Sequence, residues 1–491
     1  MSLKKATIEG VKWSAGAQAI RQLLQFIITV ILARLLVPAD FGLLGMVVVI
    51  TGFTGLFSDL GFGPALIQKK SITERHLSSI FWINILTGLV LTGVICITAP
   101  FISRFYNEPR LMPIAMLLST SLFITAFRIV PTSILKRSMD FQKLAIIDTI
   151  QIISAGTIAI ALALNGFGVW SIAWQMIASA AVTSFLLYWL CNWRPTFVYD
   201  KTAVGDLFNF GSNLIGYNLF NYWTRNLDNL LIGKFIGSSG LGYYSRAYTT
   251  MLLPITQISS SLGQVMFPSL SRIQDDKSRV KHIYLKTLSM IALISFPMMT
   301  GLLVTADSFV LALFGPQWAA VIPILRVLCV VGILQSIGTT VGWIYNSQGR
   351  TDRLFQWGIV AGTMYMAAFT VGVLIGSVMA VAVSYTLVNF LLLYHNFTIP
   401  GKLVNMNFRE VIERVAGIFI CASLMACCVF AATFILPANW NHWYRLATQV
   451  LLGVSIYTLC IHCFKIRAYI ELKKLMGEYF QGRNTRVRSY D

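Results

Sequence analysis

The chain has 491 residues, of which 56% are hydrophobic and 12% are charged. A soluble domain has about 45–50% apolar and about 25% charged residues, so this composition argues against a soluble enzyme or a large soluble domain. The 38 basic and 19 acidic residues give a net charge of +19. In a chain this apolar, the basic excess indicates that membrane lipids are a partner, and nucleic acid is not expected to be one.

Apolar segments follow one another along the whole chain at lengths that suit helices crossing a bilayer, which takes about 20 residues. The first begins at Trp13, after Lys4, Lys5 and Lys12, and is longer and more polar than the core of a signal peptide. We therefore predict an all-α integral membrane protein with about fourteen transmembrane helices. The predicted spans are residues 13–36, 41–62, 77–99, 111–133, 144–164, 168–190, 208–233, 241–265, 284–305, 319–344, 354–375, 377–394, 412–433 and 444–464.

The basic residues are distributed unevenly among the segments that connect these spans. With the amino terminus in the cytoplasm, 28 of the 38 Lys and Arg residues lie on the inner side and 5 on the outer side. This imbalance predicts a multi-pass membrane protein with both termini in the cytoplasm. Residues 465–491 combine apolar residues at helical spacing with Lys and Arg, which favours a basic amphipathic tail at anionic lipid, with an ordinary solvated tail as the alternative.

The two halves of the chain resemble each other weakly at an offset of 200 to 210 residues. Three pairs of segments occur in the same order and relate spans 1, 2 and 4 to spans 7, 8 and 10. Since both copies start from the cytoplasm, the halves are expected to be related by a pseudo-two-fold axis along the membrane normal. The paired segments are 33–42 with 233–242, 58–61 with 260–263, and 113–143 with 323–353.

This repeat predicts how the chain is divided. Two six-helix lobes are expected, followed by two extra transmembrane helices and the cytoplasmic tail. The predicted bounds are residues 1–200 for the amino-terminal lobe, 201–400 for the carboxy-terminal lobe, 401–464 for the extra helices and 465–491 for the tail.

Five arginines lie within the predicted spans. An arginine at mid-membrane costs about 2.5–3.5 kcal/mol even on the lenient insertion scale, so these residues are predicted to line a hydrated cavity that binds an anionic headgroup. For Arg225 an ion pair with Asp228, three positions on, is an equal alternative. Arg246 is close enough to the outer interface for its side chain to reach it. The candidate binding residues are Arg21, Arg128, Arg225, Arg246 and Arg326.

Four aspartates lie within or near the ends of the same spans. A solvated carboxylate is the default interpretation near a span end, and each of them is also a candidate for carrying a proton in a coupling cycle. The candidate coupling residues are Asp59, Asp148, Asp228 and Asp307.

Motifs of nucleotide binding and hydrolysis are missing from the sequence. It contains no Gly-x-x-x-x-Gly-Lys-Ser/Thr loop, no His-Glu-x-x-His motif and no Gly-x-Ser-x-Gly turn. The group Cys460, His462 and Cys463 falls short of the four ligands of a closed zinc site. We therefore expect no catalytic residues, no cofactor and no metal, and a protein that is not an enzyme.

Several motifs resemble those of bacterial polysaccharide flippases of the O-antigen and colanic acid type, in the multidrug/oligosaccharidyl-lipid/polysaccharide exporter superfamily. The resemblance extends from the first helix to about residue 355 and weakens afterwards. The motifs are Lys12-Trp13-Ser14, Ser58-Asp59-Leu60-Gly61, Ile67-Gln68-Lys69-Lys70, Phe267-Pro268, Arg272-Ile273-Gln274-Asp275-Asp276, Phe314-Gly315-Pro316-Gln317-Trp318, Ile322-Pro323-Ile324-Leu325 and Leu328-Cys329-Val330-Val331-Gly332.

The resemblance implies an alternating-access transporter that moves an undecaprenyl diphosphate-linked oligosaccharide from the cytoplasmic to the periplasmic leaflet. A polysaccharide polymerase and other assembly proteins are candidate partners. Three alternatives remain: an antiporter for cationic drugs or metabolites, a lipid II flippase, and a membrane glycosyltransferase or polymerase. An antiporter for cations favours an excess of buried carboxylates, whereas arginines outnumber acids at depth here, and a glycosyltransferase usually needs the large soluble loops that this chain lacks.

Overall fold

The computed structural model describes residues 3–69, 71–437 and 439–474, and within these ranges all regular structure is helical. The all-α prediction is thereby confirmed. A short 3-10 helix, Pro316–Trp318, precedes α11. The α-helices are α1 Leu3–Leu35, α2 Pro38–Gly55, α3 Phe62–Gln68, α4 Glu74–Tyr106, α5 Leu111–Arg137, α6 Phe141–Leu164, α7 Val169–Leu190, α8 Lys201–Phe235, α9 Ser238–Ser271, α10 Lys277–Leu313, α11 Val321–Gly338, α12 Val341–Ser347, α13 Thr351–Leu374, α14 Val378–Gly401, α15 Phe408–Ile435 and α16 His442–Cys463.

Among the described residues, 11 helices are long and apolar enough to cross a membrane, with α11 and α12 counted together as Val321–Ser347. They correspond to eleven of the predicted spans. Helices α1, α8 and α9 have 33, 35 and 34 residues, which is ample length for a crossing, but each is less apolar on average than the other long helices. These three helices carry Arg21, Arg225 and Arg246. The part of the predicted tail beyond residue 474 lies outside the described residues.

The second predicted span, 41–62, is interrupted. Helix α2 ends at Gly55, and α3 begins only at Phe62 after a series of turns. Leu60 and Gly61 have φ angles of 48° and 74°, in the left-handed region that a continuous right-handed helix excludes. The Asp59 carboxylate accepts a hydrogen bond from the Gly63 amide at 2.8 Å and so caps the first turn of α3.

The chain forms two compact units, Met1–Gly242 and Tyr243–Asp491. In the first unit, α4 packs along α5, and α6 packs against both α1 and α7. Helix α8, which the repeat assigns to the second lobe, packs against α2, α3 and α4 of this unit. The two predicted six-helix lobes are defined by the sequence repeat, whereas the two units are defined by contacts. The division into lobes therefore stays a prediction.

The second unit is built around the long helix α10. It packs against α11 and against the two extra helices, α15 and α16. The Tyr457 hydroxyl of α16 donates a hydrogen bond to the Leu293 carbonyl oxygen of α10 at 2.8 Å. Because the tyrosine hydroxyl is buried, this bond provides the partner it needs and fixes α16 along α10.

Two glycines allow α2 and the first turn of α9 to approach each other closely within the first unit. A Cβ atom added at Gly42 would lie 1.7 Å from the Ser238 carbonyl oxygen, and one added at Gly242 would lie 1.9 Å from the Pro38 carbonyl oxygen. The contact is reciprocal, with each glycine facing the first residue of the opposite helix. The two glycines are also the positions that the sequence repeat aligns at an offset of 200.

We expect Gly42→Ala to destabilise the protein because the added methyl group overlaps a backbone oxygen that no side-chain rotation can move. Overpacking of this kind costs about 1–3 kcal/mol. The measurement is the thermal unfolding midpoint of the purified protein in detergent. Gly93→Ala is the matched control, since its added Cβ would meet no atom within 4 Å. Equal midpoints for the two variants would show that the helices separate at no cost.

Candidate functional site

The first unit contains an ion pair between two of its helices. The guanidinium of Arg21 on α1 contacts the carboxylate of Asp148 on α6 and also donates a hydrogen bond to Gln18 Oε1 at 2.6 Å. The two charged side chains are 21% and 43% exposed, so the pair is accessible from one side. Both residues were predicted from the sequence as functional, but in separate roles. The structure brings them together.

A second guanidinium lies near the same carboxylate. Arg128 projects from α5, is largely buried, and lies within electrostatic range of Asp148. It forms no hydrogen bond or ion pair with any residue that the structure describes. Two guanidinium groups therefore lie near one carboxylate, which pairs with Arg21 only, and the group carries a formal charge of +1. We refer to Arg21, Arg128 and Asp148 as the cationic cluster.

The cationic cluster is suited to an anion with several acceptor oxygens. A guanidinium presents a planar fork of N–H donors that matches phosphate bidentately. Arg128 is available for such a ligand among the described residues, whereas Arg21 must first exchange the oxygens of Asp148 for those of the ligand. The cluster therefore combines one guanidinium that pairs with no described residue and a second one whose carboxylate would compete with an incoming anion.

The second unit contains a comparable interhelical pair. The Arg326 guanidinium on α11 contacts the Asp307 carboxylate on α10, and both side chains are partly exposed. Of the four predicted coupling carboxylates, two are thus partners of predicted binding arginines, one in each unit. Arg21 and Arg326 thus each have an acidic partner on a neighbouring helix, and their role in a hydrated cavity stays a prediction.

Arg246 has a different environment. It is 9% exposed, and its guanidinium carbon lies 5.4 Å from the ring centre of Phe314 and 5.2 Å from that of Trp318. Trp318 is fully buried, and the ring of Tyr243 packs edge-on against it. This contact supplies a reason for the Phe-Gly-Pro-Gln-Trp motif, because the short turn places both rings beside one cation. This geometry favours a packing role for Arg246. The role of Arg246 in substrate binding stays a prediction.

The other predicted site residues lie apart from these contacts. Arg225 is exposed and forms no ion pair with Asp228 or with any other residue in the described ranges. Asp228 is itself buried, with 4% of its surface exposed. Asp59 caps α3, as described above. The spacing of Arg225 and Asp228 on a helix allowed an ion pair, but Arg225 is exposed whereas Asp228 is buried.

The pairing of the charges was missed by the sequence analysis. Asp307 and Arg326 are 19 positions apart at the facing ends of two consecutive helices, so their contact was accessible from the predicted hairpin. Arg21 and Asp148 are 127 positions apart, and nothing in the sequence indicates that α1 packs against α6. Nothing in the sequence indicated that Arg128 would lie near Asp148, the carboxylate that pairs with Arg21.

Eleven long apolar helices among the described residues define an integral, multi-pass membrane protein, with ion pairs between some of its helices. Its fold is similar to that of a solved structure, the lipid II flippase MurJ in an inward closed conformation, with a TM-score of 0.74 at 14% sequence identity. That likeness covers 92% of this chain and 98% of the other. The chain belongs to the polysaccharide biosynthesis protein family, whose model matches residues 31–323.

Two curated relatives extend the family likeness over most of the chain. The teichuronic acid biosynthesis protein TuaB of Bacillus subtilis (strain 168) is 28% identical over 480 residues, which are 96% of this chain and 98% of the relative. The lipopolysaccharide biosynthesis protein WzxC of Escherichia coli (strain K12) is 28% identical over 426 residues, 84% of each chain. The resemblance to polysaccharide flippases drawn from the sequence motifs is confirmed.

We expect Arg246→Lys to lower the thermal unfolding midpoint, because a compact ammonium cannot stack on two rings as a planar guanidinium does. The loss should be about 0.5–2 kcal/mol, the range of a cation–π contact from exposed to desolvated settings. The midpoint is measured on purified protein in detergent. Arg225→Lys is the control, because that side chain is exposed and unpaired among the described residues. If both variants have the same unfolding midpoint as the parent protein, the ring contact contributes nothing to stability.

Proposed function

We propose that this protein is a flippase that moves undecaprenyl diphosphate-linked oligosaccharide repeat units from the cytoplasmic to the periplasmic leaflet, for the synthesis of an exopolysaccharide, a capsule or an O-antigen. Family membership supports the pathway, since the relatives are named for teichuronic acid and lipopolysaccharide biosynthesis. The likeness to a solved lipid flippase supports the mode of action. The protein acts as a transporter and not as an enzyme.

The observation that carries this proposal is the cationic cluster. A diphosphate has enough oxygens to bridge Arg21 and Arg128, and it would displace Asp148 from Arg21 as it binds. Arg21 would exchange one anion for another, and Arg128, which pairs with no described residue, would gain a counter-charge. When the substrate leaves on the far side, Asp148 pairs with Arg21 again and restores the starting state.

The proposed transporter has fourteen transmembrane helices arranged in two lobes. The three polar helices α1, α8 and α9 complete fourteen spans, and the repeat relates two six-helix lobes about an axis along the membrane normal. The lobes correspond to residues 1–200 and 201–400, and 401–464 add two helices. The basic loops support an orientation in the inner membrane with both termini in the cytoplasm. Alternating access would then expose the substrate path to each side in turn.

The resemblance to polysaccharide flippases also implies the partners. The lipid tail of the substrate would remain in the bilayer while its diphosphate contacts arginines and its sugars occupy polar space. A polysaccharide polymerase and other assembly proteins would receive the product in the periplasm.

An antiporter for organic cations is less well supported. Such a site needs carboxylates free to bind a positive charge. Among the described residues, Asp148 and Asp307 are each neutralised by an arginine, and Asp59 is engaged at the start of α3. The lipid II flippase alternative rests on a fold likeness at 14% identity, which carries no substrate information.

We expect Arg128→Ala to reduce surface polysaccharide about tenfold or more in cells that depend on this protein, because a charge-assisted hydrogen bond is worth about 1.5–3 kcal/mol. Arg21→Ala should also reduce export. The variants are compared by quantifying the polysaccharide, with membrane abundance measured in parallel. Arg272→Ala removes the same charge from an exposed turn and is the control. Wild-type export by a folded double variant, Arg21→Ala with Arg128→Ala, would refute the proposed site.

Asp148→Asn tests the exchange of anions directly. The amide keeps the size of the carboxylate but no longer competes as an anion, so the affinity for a lipid diphosphate should rise about tenfold, which corresponds to about 1.4 kcal/mol. Binding is measured on purified protein with farnesyl diphosphate as the probe. An unchanged or weaker affinity in a folded variant would mean that Asp148 does not compete with the ligand.

Deletion of the gene distinguishes the substrate classes. Loss of a dispensable surface polysaccharide with intact growth is the expected result. Lysis of the cells would instead indicate an essential cell-wall precursor such as lipid II as the cargo.

A further inference from the structure

A cavity of about 580 Å³ lies where α14 and α15 meet, on the side of the molecule to which the charge distribution assigns the cytoplasm. It is separate from the cationic cluster, which lies in the first unit. We call it the loop pocket. Its walls include Tyr394, Gly401, Lys402, Asn405, Phe408 and Arg409.

The loop pocket is preformed. The segment between the two helices is held by its own core, since Val404 is fully buried and Met406 is 3% exposed. The backbone approaches itself so closely that a Cβ atom on Gly401 would lie 2.4 Å from the Met406 carbonyl oxygen. The entropy cost of ordering the walls when a ligand binds would therefore be small.

Lys281 of α10 holds the segment between α14 and α15 in place by contacts from a neighbouring helix. Its ammonium donates to the Asn405 carbonyl oxygen at 3.1 Å and pairs with Glu410 at 2.9 Å. Asn405 has a φ angle of 53°, so its carbonyl is directed by a tight left-handed turn. These contacts place the loop segment at a defined position above α10.

The charges at the rim of the loop pocket favour an anion. Arg409 pairs with Glu413, one turn along α15, but this exposed pair is worth only about 0.3–0.5 kcal/mol, so its guanidinium can turn to a better ligand. Lys402 is exposed and has no side-chain partner among the residues that the structure describes. Since Glu410 is occupied by Lys281 and Glu413 by Arg409, Lys402 leaves the rim with a net positive charge.

The floor of the loop pocket is aromatic and leads to the apolar surface of α14. The rings of Tyr394 and Phe408 pack edge to face with their centres 5.3 Å apart. Tyr394 continues an exposed apolar stripe formed with Leu387, Phe390 and Leu391, at the i, i+3, i+4 and i+7 spacing of one helix face. A molecule with a charged head and an acyl chain would fit this combination of a basic rim, an aromatic floor and an apolar track.

We propose that the loop pocket binds the headgroup of an anionic glycerophospholipid, with the phosphate at Lys402 and Arg409 and an acyl chain along the stripe from Tyr394 to Leu387. The occupant is a membrane lipid and not the transported substrate, so this inference is independent of the proposed function. The bound lipid fastens the cytoplasmic end of α14 to that of α15. It also supplies a counter-charge for Lys402.

The test uses the purified full-length protein in detergent and measures the thermal shift produced by added phosphatidylglycerol or phosphatidylcholine. The parent protein should be stabilised more by phosphatidylglycerol. In the double variant Lys402→Ala with Arg409→Ala, the apparent affinity for phosphatidylglycerol should fall about tenfold, as expected for the loss of charge-assisted hydrogen bonds. The charge-matched control is Arg272→Ala with Arg279→Ala, two exposed arginines in the preceding cytoplasmic turn region, and it should keep the preference.

Two further measurements complete the design. Lys402→Gln keeps an uncharged polar side chain and should also weaken the preference, which covers the case in which the double variant folds poorly. Glycerol phosphate, which lacks acyl chains, should give no stabilisation at the same concentrations. Equal preference for phosphatidylglycerol in Lys402→Gln and the parent protein would overturn the proposal, and so would full stabilisation by glycerol phosphate, which would indicate a site for a soluble phosphate.

Discussion

The ion pairs between helices are the constraint on which the rest of this structure depends. A guanidinium in an apolar surrounding is unfavourable without a counter-charge, and the carboxylate of Asp148 on α6 supplies one to Arg21 on α1. The pairing fixes α1 beside α6, and Arg326 with Asp307 connects α10 and α11 in the same way. In the proposed mechanism such a pair exchanges its carboxylate for the anion of the ligand, so the contact between the helices would also serve as the binding site.

The arginines inside the helices perform different tasks because their surroundings differ. Arg246 is enclosed by two aromatic rings, where a flat cation packs as part of the core. Arg128 is largely buried near a carboxylate already engaged by Arg21, and no described residue pairs with it. Depth in the membrane is therefore a poor guide to function by itself. The number of partners available to each guanidinium separates a packing residue from one that can bind a ligand.

Close packing of the backbone limits how the helices can be rearranged. Gly42 and Gly242 each lie so close to a backbone carbonyl oxygen of the opposite helix that a methyl group would not fit. Gly401 has the same close contact with a carbonyl oxygen of the loop that follows it. These contacts are formed by backbone atoms, which cannot change rotamer to relieve a clash. They define rigid points of the fold, and one of them, Gly401, lies in the wall of the loop pocket.

The sequence alone determined the helical class, the approximate bounds of most spans and the residues that carry charge within them, because apolar runs and isolated arginines are local properties of a chain in a bilayer. It also aligned Gly42 with Gly242. Only the tertiary structure decided which charges meet, since Arg21 and Asp148 are brought together by the packing of α1 on α6 across 127 positions. The same holds for the rings around Arg246: the motif was visible, but its partner depended on how α9 lies against the turn before α11, and packing between distant helices leaves no local pattern to read.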